Sequence, residues 1–344
     1  MVSASAVAAL GTTRTLVDAA PPGARRAVAG LRGDPPAAPL PTARPLSDDR
    51  WCQRWRHRHH TWHRHDEHAF DPDRFAVVEL DDRDGKRAAR RLIVDHHYAG
   101  SWPAAMHCFG LIDRAPQLDY YPDPHPSALT AAGRLVGVAV LSVPQHVAVV
   151  ANPFPHLTPY HEAADLGRFL LLDPVAVNAE SWFLARVFRL ARRRGVRGVV
   201  AFADPVPRRR ADGTFVLPGH VGWSYQGHNA IYLGRSSASP QILLPDGTSL
   251  PGRAASKIAS AEPGAGGVAA RLRRLGAPGP AAGEAPTAWF ARALPAIGAT
   301  IIRHPGKHKY AWRLDRTPAS RLAQPSLPYP KSIDPITATA VGSR

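Results

Sequence analysis

The alternation of apolar and polar residues predicts regular secondary structure from about residue 75 onward. The run FAVVEL, which begins at Phe75, has strand character, and the stretch GKRAARRLIVDHHYAG predicts a helix that ends at Gly100. Two apolar runs, MHCFGLI and RLVGVAVLSVP, predict two strands separated by a Pro- and Asp-rich loop at residues 116–127. This half of the pattern therefore indicates strand, helix, strand, strand.

A second helix is predicted between two further strands. LGRFLLLD predicts a strand, and in the segment 179–194 Phe183 and Val187 fall on one apolar helical face. Asn178 is the expected N-cap and Gly195 the expected C-cap. VRGVVAFAD predicts the next strand, which is apolar enough to be buried on both faces.

The remaining pattern predicts shorter elements. AIYLGRS predicts a strand, and QILLPDGTSLP predicts a hairpin around Asp246 and Gly247. VAARLRRLG and TAWFARAL predict two short helices, and ATIIRHPGKHKYAWRLD predicts a last hairpin that turns at Pro305 and Gly306. The order of the main elements is that of a GNAT-like acetyltransferase fold. We therefore expect an α/β (α+β) class with a central mixed twisted sheet flanked by helices.

Composition divides the chain into three regions. Residues 1–70 are Ala-, Pro- and Arg-rich and then His- and Arg-rich, which predicts a disordered basic region, and residues 71–320 form the predicted domain. In residues 321–344 Pro and Ser return, which predicts a flexible tail. The His-, Arg- and Trp-rich segment 51–68 is interpreted as an electrostatic arm for DNA, with a solvated tail and a metal site as alternatives.

The net charge of +16 narrows the expected partners. Charge of this size predicts attraction to a polyanion, nucleic acid first and an anionic membrane second, although a GC-rich genome alone also enriches Arg. No apolar run reaches the ~18 residues of a membrane span. The two cysteines, Cys52 and Cys108, give neither a disulfide framework nor a Cys-based zinc site, which fits a reducing cytoplasm.

Candidate chemistry concentrates in the stretch Val196–Ser236. A predicted strand ends at Asp204, a basic loop follows, and His220, Tyr225 and His228 precede the next strand. We expect these four side chains to lie near each other at the rim of an active site. The simpler alternatives are that Asp204 only starts a turn and that Tyr225 only packs against the sheet.

Several motifs resemble the Mom family of phage DNA-modification proteins, a divergent branch of the GNAT superfamily. They are HHYAGSWP at 96–103, LGRFLLLDPVAVNAESWFLAR at 166–186, the strand ending in Asp204, GWSYQGHNAIYLGRS at 222–236 and GKHKYAWRL at 306–314. The resemblance implies a transferase that converts the N6 amine of adenine in double-stranded DNA to a methylcarbamoyl-type adduct, which blocks restriction endonucleases. It further implies acetyl-CoA as the source of the added group and suggests a bound metal such as iron.

The resemblance also implies roles for single residues. His97 and Tyr98 match the family's His-Tyr pair and are expected to act in acid–base catalysis or as metal ligands. Asp204 is expected to orient a base, bind metal or accept from the N6 amine. Tyr225 is at the position from which GNAT-fold enzymes often protonate the CoA thiolate. Capping of a helix end is the alternative for His97 and Tyr98.

Two further sets of residues are expected to contact ligands. Asn178 and Ser181 match the family's Asn-x-x-Ser segment at a helix start, where free N–H groups suit a pyrophosphate, although the Gly-rich loop of ordinary acetyltransferases is missing there. The candidate phosphate contacts on DNA are Arg208, Arg209, Arg210, Lys307, His308 and Lys309. Trp223, His228 and Tyr232 are expected to line a pocket for an extruded base.

Three functions remain open at this point. The first is a Mom-like enzyme that modifies DNA adenine in the cytoplasm. The second is a GNAT-type N-acetyltransferase acting on a small-molecule or protein amine, and the third is a DNA-binding protein without enzymatic activity on a GNAT-like fold. A homodimer is one option for the oligomeric state, which the sequence leaves open.

Overall fold

The computed structural model describes residues 51–56, 59–64, 70–115, 129–130, 132–172, 175–176, 178–213, 215–217 and 219–331. Its strands are β1 (Trp51–Arg56), β2 (His59–Arg64), β3 (Phe75–Glu79), β4 (Ala105–Asp113), β5 (Leu129–Thr130), β6 (Gly133–Ser142), β7 (Ala163–Leu171), β8 (Gly198–Ala203), β9 (Arg208–Arg209), β10 (Phe215–Leu217), β11 (Ile231–Arg235), β12 (Ser239–Leu243), β13 (Ser249–Leu250), β14 (Thr300–His304) and β15 (His308–Arg313). Its helices are α1 (Arg83–His96), α2 (Ala148–Ala151), α3 (Ala179–Arg193), α4 (Trp223–Gly227), α5 (Gly252–Ala259), α6 (Ala265–Arg274) and α7 (Pro286–Ala296). The predictions for residues 1–50, 116–127 and 332–344 lie outside the described residues.

One eight-stranded sheet organises the domain. Its order is β11-β15-β8-β7-β6-β4-β3, with β5 paired to β6. Every neighbouring pair is antiparallel except β7 and β8, which are parallel and are connected through α3, because parallel strands need a crossover. This mixed sheet flanked by helices confirms the predicted fold class, including its GNAT-like arrangement around a central helix.

The two parallel strands separate soon after they begin. They pair at three register positions only, the last of which is Asp165 opposite Val200. Beyond that point β7 continues along β6, and β8 continues along β15. The strands therefore open into a wedge whose two edges have no strand partner among the described residues, and Asp165 lies at its closed end.

A β-bulge in β7 aims side chains at this wedge. The register of β7 against β6 shifts so that Gly167 is an extra residue between paired positions. Asp165 lies opposite Ser142 and Arg168 lies opposite Val140. Ser142 and Val140 are two residues apart on β6, so their side chains lie on the same face of the sheet. Their partners Asp165 and Arg168 therefore also lie on one face, although they are three residues apart in sequence. A Cβ on Gly167 would overlap with Ser142 Oγ.

The central helix agrees closely with its prediction. Phe183 and Val187 are fully buried against the sheet, and α3 ends one residue before the predicted position, followed by Gly195 with φ of 89°. Asn178 occupies the N-cap position, but its backbone is left-handed (φ 69°) and its side chain makes no capping bond. The predicted side-chain cap is therefore wrong, because Asn is used here for its tolerance of the left-handed region.

The chain between β11 and β15 forms a small unit with its own core, which we call the insert (residues 236–306). β12, β13 and β14 make an antiparallel sheet, and residues of α5, α6 and α7 join its apolar cluster. The predicted hairpin at Asp246 and Gly247 is confirmed by pairing of β12 with β13. The predicted hairpin at Pro305 and Gly306 is wrong, because β14 pairs with β12 while β15 enters the main sheet between β8 and β11.

Segments near both ends of the domain also have defined structure. β1 and β2, in the His-rich segment, pair antiparallel from Trp51 opposite Arg64. Past residue 320, where the sequence predicts a tail, the Tyr329 hydroxyl donates to Ala230 O at 2.6 Å and Leu327 N donates to Tyr232 O at 2.9 Å. The described chain therefore runs along β11 at this point. No described helix is long and apolar enough to cross a membrane.

Candidate active site

The end of α1 brings His97 and Tyr98 to the wedge. The backbone N–H of His97 donates to Ile93 O at 3.0 Å as the helix ends, and the His97 and Tyr98 rings have centroids 4.2 Å apart. Arg168, aimed by the bulge, holds the following loop by donating from Nε and Nη2 to the carbonyl and hydroxyl oxygens of Ser101, both at 2.9 Å. Arg168 thus positions the His97–Tyr98 segment over β7.

The same segment meets the stretch around Asp204. The Tyr98 ring lies 6.2 Å from the His220 ring, and the guanidinium of Arg208 lies 5.4 Å from the Tyr98 ring centre. Arg208 in turn pairs with Asp204 at 3.3 Å, and His220 N donates to Asp204 O at 2.8 Å. The structure therefore brings His97 and Tyr98 together with Asp204, from segments more than a hundred residues apart.

Asp204 is held in a buried cluster. Its Oδ1 accepts from Val206 N at 3.1 Å and from His304 Nε2 at 3.0 Å, and its Oδ2 accepts from Arg208. His304 Nδ1 accepts from Gly306 N at 3.1 Å, which leaves the ring proton on Nε2. Burial favours the neutral acid, but the His304 bond and the Arg208 charge outweigh it and lower the pKa of Asp204 to about 2. Asp204 is therefore an ionised anchor whose oxygens are occupied.

The His97 ring is neutral and has a fixed tautomer. Burial, followed by the charges of Arg168, His220 and Arg208, holds the pKa of His97 well below its usual value. Ala99 N donates to His97 Nδ1 at 3.0 Å, so the proton lies on Nε2. In this arrangement His97 offers a hydrogen-bond donor, and its acceptor nitrogen is already used.

Two phenols at the site remain protonated at neutral pH. Burial and the Asp204 charge raise the pKa of Tyr98 to about 12. Burial also raises the pKa of Tyr225, reinforced by Tyr98 and Asp165. The Tyr225 ring packs edge-on against Trp312 at 5.4 Å, which fixes its direction from α4. Both tyrosines are therefore proton or hydrogen-bond donors.

Asp165 is the site residue that the sequence motifs do not single out. Its Oδ1 is buried without a hydrogen-bond partner in the described structure. Burial raises the pKa of Asp165 to about 7 against the opposing charges of Lys307, Arg168 and Lys309. An acidic residue inside the apolar run AADLGRFLLL is the one sequence signal that points to it. His304 lacks even such a local signal.

Two of the predicted phosphate contacts, Arg208 and His308, are buried inside the protein. Arg208 is 4% exposed and His308 is 1% exposed, with His308 Nδ1 2.8 Å from the Tyr232 hydroxyl, so the structure places both inside the protein instead of on a phosphate surface. The physical reason is that each side chain points into the protein, where a charged or polar group needs an internal partner: Asp204 for Arg208 and Tyr232 for His308. Arg209 and Arg210 are exposed, whereas Lys307 and Lys309 are partly buried toward Asp165.

The expected base pocket is only partly assembled. Tyr232 is buried in the core, and His228 packs against Phe188 and Trp312 at ring distances of 5.3 and 6.2 Å. Trp223 is 46% exposed at the start of α4. Of these three residues, Trp223 is the one whose ring is available for stacking.

The candidate metal ligands do not fit a metal ion in this arrangement. In the described parts of the chain, no group of three or more His, Cys, Asp or Glu side chains is placed to hold one. The carboxylate oxygens of Asp204 already accept hydrogen bonds from His304 and from the guanidinium of Arg208. Nδ1 of His97 already accepts a hydrogen bond from a backbone N–H. These residues therefore do not support a metal-dependent step.

The wedge fits an acyl-CoA better. The unpaired edges of β7 and β8 present backbone N–H and C=O groups, which suit the amides of an extended pantetheine arm. Asn178 and Ser181 lie at the start of α3, where Ser181 Oγ donates to Asn178 O at 3.2 Å and the helix N-terminus favours an anion. Glu180 in the same turn opposes that charge.

Two solved structures of acetyltransferases show a weak likeness to this chain. One is a tandem GNAT protein from the clavulanic acid biosynthesis pathway, without acetyl-CoA, which is 12% identical over 72% of each chain with a TM-score of 0.29. The other, described as a phosphinothricin N-acetyltransferase, is 10% identical over 49% of this chain and 86% of its own, with a TM-score of 0.23. The GNAT-like fold is shown by the sheet topology and not by these two likenesses. No curated protein matches the chain.

The family assignment rests on a separate match. The model of the Mom protein family matches residues 82–262, which is more than half of the chain. The matched segment includes His97, Tyr98, Asp165, Asp204 and Tyr225, all of which the structure gathers at the wedge. This chain therefore belongs to the Mom protein family.

Proposed function

We propose that this protein transfers an acyl group from acetyl-CoA to the N6 amine of adenine in double-stranded DNA, a modification that protects DNA from restriction. A methylcarbamoyl-type adduct needs a further nitrogen, which acetyl-CoA does not supply, so its completion requires a second reaction with a nitrogen donor. The observation that carries the proposal is the convergence of protonated donors and carboxylates at the opening between β7 and β8. This is the set of groups that acyl transfer to an amine requires: donors for developing negative charge and an acceptor for the amine proton.

Each residue has a role that follows from its bonding. Bound acyl-CoA supplies the activated acyl carbon. The Nε2 proton of His97 and the hydroxyl of Tyr98 are donors for the carbonyl oxygen as it gains charge. Tyr225, protonated and fixed by Trp312, is the donor for the departing thiolate. Asp204 does not react; it holds the Arg208 side chain beside the Tyr98 ring.

Charge supports DNA as the acceptor. The loop after Asp204 exposes Arg209 and Arg210 next to the site, and the outer face of α3 exposes Arg189, Arg192 and Arg193. Such positions contact phosphates without reading sequence. Because N6 of adenine is hard to reach within a stacked duplex, the base is taken out of the helix, and Trp223 offers an exposed ring for it.

Mass spectrometry of nucleosides from cells that express the protein tests the proposal. Wild-type protein is expected to yield a mass-shifted deoxyadenosine, and Tyr225→Phe is expected to reduce it strongly because the thiolate loses its proton donor. Asp84→Asn, an exposed position on α1, serves as the matched control and is expected to behave as wild type. Unmodified DNA from soluble, well-expressed wild-type protein would refute the proposal.

A binding experiment separates DNA from small amines as the acceptor. If DNA is the substrate, affinity for a duplex falls steeply with salt, and Arg209→Ala with Arg210→Ala flattens that slope by about one for each phosphate that is no longer neutralised. Turnover of acetyl-CoA with a simple amine, together with salt-independent or absent DNA binding, would favour the small-amine alternative.

A further inference from the structure

Asp165 lies where β7 and β8 separate in the main sheet. It is the last residue of β7 that pairs with β8, so its side chain stands at the closed end of the wedge. The bulge at Gly167 puts Arg168 on the same face, and Arg168 fixes the loop that carries His97 and Tyr98. Asp165 therefore faces the groups already placed in the site.

One oxygen of its carboxylate, Oδ1, is buried and is not satisfied. Oδ1 has no hydrogen-bond partner in the described structure, and no ion pair within 4.0 Å joins Asp165 to the described cations. The groups that face it are Arg168 from β7, Lys307 just before β15, Lys309 in β15, Tyr98 after α1 and Tyr225 from α4. A buried acceptor without a donor is costly, and an N–H of a substrate bound in the wedge would satisfy it.

The other groups at the site are unsuitable as proton acceptors. His97 has its acceptor nitrogen bonded to Ala99 N, and Asp204 has both oxygens bonded in the His304–Arg208 cluster. Tyr98 and Tyr225 are protonated. His220 is the remaining base, but burial lowers its pKa to about 4, so it holds a proton weakly at neutral pH.

We propose that Asp165 accepts the proton that the substrate amine loses as it attacks the acyl carbon. This inference rests on the proposed transferase function. The amine nitrogen bonds to the acyl carbon, the carbon–sulfur bond breaks, the thiolate takes the Tyr225 phenol proton, and the amine proton moves to Asp165. Exchange with solvent returns that proton to the Tyr225 phenolate, so protons balance over the cycle. The raised pKa of Asp165, about 7, suits a base that works near neutral pH.

The first test is Asp165→Asn in the full chain, with duplex DNA and acetyl-CoA as substrates. Loss of a general base is expected to lower kcat on the order of 10²–10⁴-fold while DNA and CoA affinities stay near wild type. The wild-type rate is expected to fall as pH drops below about 7, and this acidic limb is expected to disappear in the variant. Asp84→Asn, which removes an exposed carboxylate far from the wedge, is the control and should keep both rate and pH profile.

The second test does not depend on activity. Carbon-13 NMR of Asp-labelled protein, wild type minus Asp165→Asn, gives the titration of the Asp165 carboxyl directly. A pKa near 7 is expected, and a pKa at or below the ordinary value of about 4 would overturn the inference, whatever the enzyme does.

The outcomes also separate this inference from the proposed function. Modified deoxyadenosine from Asp165→Asn at the wild-type rate and pH profile would overturn the inference and leave the function standing. Absence of modified deoxyadenosine from wild-type protein would refute the function, and the NMR titration would still decide whether Asp165 is a base poised near neutral pH.

Discussion

His304 offers the sharpest test of how the site is held together. It reaches Asp204 from β14, the last strand of the insert, and lies outside the segment that the family model matches. We predict that His304→Ala destabilises the fold, because Asp204 stays buried and charged while losing one of its donors. His304→Gln, which retains a side-chain N–H, is expected to recover part of the loss.

The structure sets the size and the pH window of this effect. A lowering of the Asp204 pKa from 3.8 to about 2 corresponds to about 2 kcal/mol, and a bond to a charged acceptor contributes a similar ~1.5–3 kcal/mol. Because the folded pKa is depressed, this stabilisation is present above about pH 4 and is lost as pH falls toward about 2. The penalty of His304→Ala should therefore be about 2 kcal/mol or more at pH 6 and clearly smaller at pH 3.

Urea unfolding of both variants at pH 6 and pH 3 measures the penalty. His308→Ala is the matched control, because His308 is an equally buried histidine on β15 that bonds the Tyr232 hydroxyl and not Asp204. Its cost should lack the Asp204-linked decrease at low pH. An equal His304→Ala penalty at the two pH values would refute the reasoning and would show that the residue only fills space.

Three further predictions concern other parts of the wedge and its surroundings. Asp165→Asn should raise the free energy of unfolding at pH 8 by at least about 1 kcal/mol, because the raised folded pKa of Asp165 makes the wild-type protein lose stability between about pH 4 and pH 7. Little gain should appear at pH 4, and urea unfolding curves at both pH values check this. Gly167→Ala should cost about 1–3 kcal/mol through overlap with Ser142, whereas Gly266→Ala in α6, with open space around it, should be neutral or stabilising in thermal melts. Tyr329→Phe should lower the free energy of unfolding by about 1 kcal/mol, because it removes the hydrogen bond to Ala230 O, and thermal melts also measure this change.

Local sequence signals explain the parts of the fold that were predicted correctly. The apolar stripe of α3, with Phe183 and Val187, and the Asp-Gly turn of the β12–β13 hairpin both lie within a few residues of the groups that cause them. The period of the apolar residues and the residue types in the turn are enough to predict such elements. The proximity of His97 to Asp204 was predicted from the family motifs and not from a local sequence pattern.

The predictions that were wrong or missing concern residues whose structural partners lie far away in sequence. Pro305 and Gly306 look like a hairpin turn, yet the strands on each side enter different sheets, because pairing is decided by which edge is free. Asp165 carries no motif, since its importance arises from a bulge and a strand separation. His304 is connected to Asp204 across a hundred residues, a contact that no local pattern encodes.

The position of β15 has a consequence for the synthesis of the protein. This strand lies between β8 and β11, yet it is made after the whole insert, near the end of the domain. Until residues 308–313 leave the ribosome, β8 has an unpaired edge, β11 lacks the strand that it pairs with, and Lys309 is absent from the wedge. A nascent or prematurely terminated chain therefore lacks the strand that joins β11 to β8, so it is open to strand-mediated aggregation and cannot assemble its site.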